Sequence, residues 1–256
     1  MELVTPTVHA FRHEPSGSYA YVVVDPATRT CAVVDPVLDD GAADQLVSWV
    51  SEAELKVSWI LDTHIHADHL SAAAFVRERL GGRTAIGAGV RSLYEHLNGS
   101  IEPHGAAYDV LLEDGAELRI GELAGRVLHT PGHTPSCATY VLGYAAFVGD
   151  ALLMPDVGTG RCDFPGGSAR ALYGSAQRLF ALPAATRVFV GHDYGCNGAR
   201  AAACETTIAG QRAGNVHLGT GRSMEEFVAM REARDATLPP PAMMKRAVPF
   251  NLPPAA

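Results

Sequence analysis

Residues 57–70 read VSWILDTHIHADHL. The first five are an apolar run that predicts a strand. The next eight, Asp62 to His69, hold three histidines and two aspartates. Burying polar groups beside an apolar strand is costly unless each finds a partner, and a metal ion supplies one. Imidazole with carboxylate suits zinc, iron or manganese and excludes none of them. His64 and His66 are two apart, so on a loop both can turn toward one ion. Asp68 and His69 then face a neighbouring position. A single histidine in this place reads more simply as a hydrogen-bonded core or surface residue; the H-x-H-x-D-H spacing argues against that reading for the cluster.

The same habit recurs down the chain. After RVLH (126–129) come Thr130-Pro131-Gly132-His133, after AAFVG (145–149) comes Asp150, and after RVFVG (187–191) comes His192. If these strands run side by side, seven ligand-type groups converge at one sheet edge: His64, His66, Asp68, His69, His133, Asp150 and His192.

Working outward, Tyr19–Val24 and Cys31–Val34 with a turn between them read as a hairpin. Residues 43–54 put Leu46, Val47 and Val50 on one helical face, and SAAAFVRERL (71–80) is helix-like up to Gly81-Gly82. Residues 83–110 carry no clear pattern, with a loop expected at Asn98-Gly99. Strand-like runs resume at 110. Ser168 is placed to cap a helix over 169–182, and Ser223-Met224-Glu225-Glu226 has the form of a capping box. Helix–strand content recurs in two halves, roughly 19–82 and 110–197. The reading is one α/β domain over 1–197, with a helical and extended tail over 198–256 packed on it.

The chain has 256 residues, 47% of them hydrophobic, enough for a large core. A net charge of −8, with lysine only at Lys56 and Lys245, gives no electrostatic footprint for nucleic acid. No apolar stretch approaches the ~20 residues that span a bilayer, and the start lacks a secretory pattern. Five cysteines without framework spacing fit reduced thiols. The expectation is a cytoplasmic protein without nucleic-acid or membrane partners; a homo-oligomer stays open.

The run T-H-I-H-A-D-H, then P-G-H-T-P, G-D-A-L and G-H-D-Y, resembles the metallo-β-lactamase superfamily over residues 19–197. The resemblance implies an αββα sandwich with the metal site at the sheet edge. It leaves the activity open, because one fold carries many chemistries. In the two-metal hydrolases, of which glyoxalase II is the nearest, the matching residues imply one zinc on His64, His66 and His133. A second zinc lies on Asp68, His69 and His192, with Asp150 bridging. In the persulfide dioxygenases the resemblance implies one iron(II) on His64, His133 and Asp150. His66, Asp68, His69 and His192 then orient ligands and shape the pocket.

The loop after Asp150 separates these branches. Its G-R-C-D-F-x-x-G (160–167) and A-L-Y-x-S (171–175) resemble the persulfide dioxygenases, as do H-D-Y at 192–194 and E-E-F-V at 225–228. The long form of this loop resembles a bacterial subgroup. By that resemblance His192 and Tyr194 are the catalytic candidates. Arg161, Tyr194 and His217 are the candidate contacts to a glutathione-persulfide-like substrate, with O₂ as second substrate. Arg161 has a structural alternative in a pairing with Asp163. His217 stands where glutathione-using members carry arginine, and Ser136 where they commonly carry glycine; a positive φ there would strain serine. The expected activity is oxidation of a low-molecular-weight persulfide to sulfite and thiol. A dinuclear zinc thioesterase and a non-catalytic sulfur or metal sensor are the alternatives.

Overall fold

The hairpin at 19–34 sits inside a six-stranded sheet. In the computed structural model, which describes residues 5–97, 99–219 and 221–254, the chain first forms β1 (Thr7–His13), β2 (Ser18–Val24), β3 (Thr30–Val34), β4 (Lys56–Asp62), β5 (Arg83–Gly87) and β6 (Val110–Leu112). These lie in chain order across one sheet. Then come β7 (Glu117–Ile120), β8 (Leu123–His129), β9 (Ala138–Leu142), β10 (Ala145–Gly149), β11 (Arg187–Val190) and β12 (Glu205–Thr207), which form a second sheet, also in chain order. Each half of the chain therefore makes one layer. The helices are α1 (Ala42–Glu52), α2 (Ala73–Leu80), α3 (Val90–Leu97), α4 (Ala169–Phe180), α5 (Gly195–Gly198), α6 (Ile208–Gly214), α7 (Met224–Asp235) and α8 (Met244–Asn251).

Strand periodicity explains the layering, since alternate side chains leave opposite faces. On β2, Tyr19, Tyr21 and Val23 point between the sheets, where Leu61, Tyr140, Phe147 and Phe189 meet them. Ala20, Val22 and Val24 point outward and are covered by Leu46 and Val50 of α1 and Val76 of α2. The second sheet does the same: Ala146, Val148, Val188 and Val190 face Leu172 and Leu179 of α4 and Phe227 of α7. The result is the expected αββα sandwich.

The sheets are tied reciprocally at one end. Tyr21 of the first sheet donates its hydroxyl to the Val190 carbonyl of the second. Tyr140 of the second donates to the Asp62 carbonyl of the first at 2.7 Å. Backbone bonds from Ala138 N–H to the Thr63 carbonyl (2.8 Å) and from Tyr19 N–H to the Gly191 carbonyl (2.9 Å) complete the seam. The ends so fixed are those from which the ligand-type residues follow.

Several features were not legible beforehand. β1, TVHAFRH, has no unbroken apolar run to mark it as a strand. The 83–110 stretch contains β5, parallel to β4, and α3. Asn98 lies outside the described residues, so the loop expected there is described only from Gly99. Residues after 197 supply β12, antiparallel to β11, as well as α8. The Ser168 cap and the Ser223–Glu226 capping box are formed as read. Among the described residues no helix is long and apolar enough to cross a membrane.

Candidate metal centre

β4 ends at Asp62, and the irregular turn that follows buries His64, His66 and His69. His133 lies in the β8–β9 connection, Asp150 directly after β10, and His192 two residues after β11. Two glycines allow this closeness. Gly149 has φ +51°, and a Cβ there would sit 2.5 Å from Thr63 Oγ1 and 3.3 Å from His64 Nδ1. Gly132 has φ +140°, and a Cβ would meet the Leu172 nitrogen of α4 at 2.3 Å. Only glycine lets these chains approach so nearly.

His64, His133 and Asp150 each offer one ligand atom, all within 4.8 Å of one another. His64 Nδ1 is 2.9 Å from Thr63 Oγ1, and His133 Nδ1 donates to the Arg161 carbonyl at 2.6 Å. Both rings thus keep Nε2 for the site, an arrangement typical of oriented ligands. His66, Asp68 and His69 form a second such group. His66 Nε2 lies 3.1 Å from Asp35 Oδ1, and His69 Nδ1 lies 2.8 Å from Asp68 Oδ2. Their opposite nitrogens, His66 Nδ1 and His69 Nε2, are buried without a hydrogen-bond partner, and so is Asp150 Oδ1. Buried polar atoms left this way are rare, and a cation in either group would give them partners. The donor set fits a metal.

The charge states agree. Burial, then the neighbouring imidazoles, pushes His64 and His66 well below the ordinary histidine range, so both are neutral, the ligand form. Burial opposes charge on Asp150 and Asp68, yet the surrounding histidines outweigh it and hold both carboxyls low. For His192 burial is likewise outweighed, here by Asp150 and Asp68, each 3.6 Å from Nε2, and its pKa rises.

Four supporting residues were not singled out from the sequence. Asp35, at φ +49°, accepts from Thr63 N–H (2.6 Å) and Oγ1 (2.8 Å) as well as facing His66. Burial pushes its pKa up to about 6 against the pull of those Thr63 bonds. Its sequence signal was the one used elsewhere, an acid ending the apolar run AVVD. Ser18 donates to Asp68 Oδ2 at 2.8 Å. Asp62 accepts from Ser71 and Tyr108, and burial, then Asp35, raises it to about 7. Asn251 binds the loop backbone from α8. Neither Ser18 nor Asn251 had any local signal.

Residues 13–192 match the family described as the metallo-beta-lactamase superfamily. The chain belongs to that superfamily. It is 48% identical over 261 aligned residues to a beta-lactamase hydrolase-like protein of Agrobacterium fabrum, covering 96% of this chain but 60% of that longer protein. The human mitochondrial persulfide dioxygenase ETHE1 is 33% identical over 240 residues, with 93% of this chain and 84% of that protein covered. The crystal structure of ETHE1 from Myxococcus xanthus superposes with a TM-score of 0.80 at 36% identity, covering 95% and 96% of the two chains.

In this member of the superfamily a cavity of about 380 Å³ opens onto His133, Asp150 and His192, with Tyr194, Arg161 and Arg234 also on its wall. Tyr194 is 58% exposed at its mouth, and its hydroxyl makes no hydrogen bond among the described residues. Arg161 is largely committed: Nε and Nη2 each donate to Asp163 at 2.6 Å, and Nη1 to the Pro239 carbonyl at 2.7 Å. His217 is not on this wall. It is buried behind the loop, where Nδ1 accepts from Thr159 N–H at 3.0 Å, and burial followed by Arg231, Arg234 and Arg222 lowers its pKa to about 4. An uncharged acceptor facing inward cannot grip a substrate anion. Ser136 carries no positive φ. Its Oγ accepts from Ile65 N–H at 3.1 Å and pairs with Thr134 Oγ1, so serine here ties two ligand loops together without strain.

Proposed function

We propose that the chain is a mononuclear non-haem Fe(II) dioxygenase that converts a low-molecular-weight persulfide, O₂ and water into thiol, sulfite and two protons. One observation carries the reading: His64, His133 and Asp150 group together, whereas His66 groups with Asp68 and His69. Two imidazoles and one carboxylate on a ferrous ion leave positions open for two substrates. The similarity to persulfide dioxygenase ETHE1 supports the same choice. When bound, iron supplies the redox chemistry with O₂.

The chain's own part is orientation. Thr63 Oγ1 and the Arg161 carbonyl fix the ring faces of His64 and His133, and Phe164 packs edge-on against His133 at 4.9 Å. Leu153, Val157 and Leu238 give an otherwise polar cavity an apolar side against which the sulfur can pack. Tyr194 keeps its proton: partial burial, with Asp68 and Asp150 nearby, raises its pKa, so the phenol is a donor for substrate sulfur or oxygen. His192 stands beside Asp150 with the same capacity. Arg234, without a salt bridge or side-chain hydrogen bond among the described residues, is a free cation for the carrier's anionic end.

The test is oxygen uptake by anaerobically iron-loaded protein given glutathione persulfide. Uptake with matching sulfite is expected, and Asp150→Ala should lose both iron and turnover. A metal-loaded protein inert toward glutathione and cysteine persulfides would reject the reading. The orphaned His66 Nδ1 and His69 Nε2 favour one rival, a dinuclear zinc thioesterase. That rival requires two zincs per chain and hydrolysis of S-lactoylglutathione.

A further inference from the structure

The turn at 63–72 lies outside regular sheet and helix, so its backbone groups need partners from elsewhere. Asn251 provides three. Its Nδ2 donates to the carbonyls of His66 (2.9 Å) and His69 (2.8 Å), and its Oδ1 accepts from Ser71 N–H (2.8 Å). Two carbonyls and one N–H fix the orientation of the amide, and no other side chain of this size offers two donors and an acceptor. The side chain is 5% exposed.

The same helix also holds the apolar face of the turn. Ile65 and Ala67 alternate with His64, His66 and Asp68, and they pack with Val248 and Leu252. α8 is anchored in turn by His104 N–H on the Pro249 carbonyl (2.7 Å) and Gly105 N–H on the Leu252 carbonyl (2.9 Å). One face of the turn therefore presents ligands while the other rests on α8.

We propose that Asn251 is a positioning residue for the metal loop, and that metal binding and the docking of α8 are coupled through it. Whatever holds the loop in its ligating form favours the docked helix, and by linkage the converse holds equally. This rests on the metal assignment above but not on iron, O₂ or the persulfide.

The experiment measures cobalt(II) affinity from its visible spectrum, and amide hydrogen exchange across 244–251, in wild-type, Asn251→Asp and Asn251→Ala proteins. Aspartate keeps size and the acceptor for Ser71 while removing both donors. A ten- to hundred-fold weaker affinity is expected in both variants, the usual scale for groups that orient ligands. Cobalt should slow exchange in α8 of the wild type and not in Asn251→Asp. Phe250→Ala, on the partly exposed side of the helix, should bind as wild type does. Equal affinities, or exchange in wild-type α8 indifferent to cobalt, would overturn the proposal; the exchange result needs no variant to fold. A wild type that binds no cobalt would overturn the coupling and the metal assignment together. Metal-loaded protein without oxygen uptake would sink only the dioxygenase.

Discussion

His217 shows what a residue's identity conveys and what it withholds. The chain reveals that arginine is absent there, but not that the ring turns inward to accept from Thr159. Because its folded pKa of about 4 lies below the ordinary 6.5, the neutral form belongs to the native state. That stability is present above pH 6.5 and is lost as pH falls from 6.5 through 4. His217→Gln should flatten the fall in Tm over that window, read by calorimetry at several pH values. Parallel curves would place the acid sensitivity elsewhere. Ser136→Gly should cost about 1–2 kcal/mol in urea unfolding, since the Ile65 N–H loses its acceptor. The strand-end habit located His64, His133, Asp150 and His192, because a residue just past an apolar run is a local pattern. Ser18 and Asn251 were out of reach, since each acts on partners 50 and more than 180 positions away.

Elements with a clear period, a cap or an unbroken apolar run were readable, and a short strand with none of these was not. β5 is five residues between β4 and β6, with four of them buried, so its sequence shows no alternation to detect. α7 was readable through its capping box, in which Ser223 and Glu226 satisfy each other's backbone N–H groups. Ser223→Ala should cost about 1 kcal/mol. Phe227→Ala should cost about 3–5 kcal/mol, because it empties a fully buried position under the second sheet. Urea titration distinguishes the two, and similar losses would mean that α7 is held by its cap as much as by its core contact. α7 also brings Arg231 and Arg234 to the cavity, so its docking sets the cavity wall.

At the scale of the whole molecule, each layer comes from one half of the chain, and the ligand-type residues come from both. The recurrence of helix–strand content hinted at two halves; the reciprocal tyrosines did not show, because their carbonyl partners carry no sequence mark. Tyr140→Phe leaves the Asp62 carbonyl unpaired by its hydroxyl and should cost about 1–2 kcal/mol. Removing the metal should lower a single unfolding transition instead of splitting it, since neither sheet holds the site alone. At a hundredfold excess over Kd the bound metal contributes about 2.7 kcal/mol. Two separate transitions in the chelated protein would show that the sheets fold independently.

Asn251 follows His66 by 185 positions. At about 5–20 residues per second of synthesis, roughly ten to forty seconds separate them on the ribosome. The histidines emerge early and wait, unbraced, for a helix not yet made. On the proposed coupling, the loop reaches its ligating form only after translation has passed that helix.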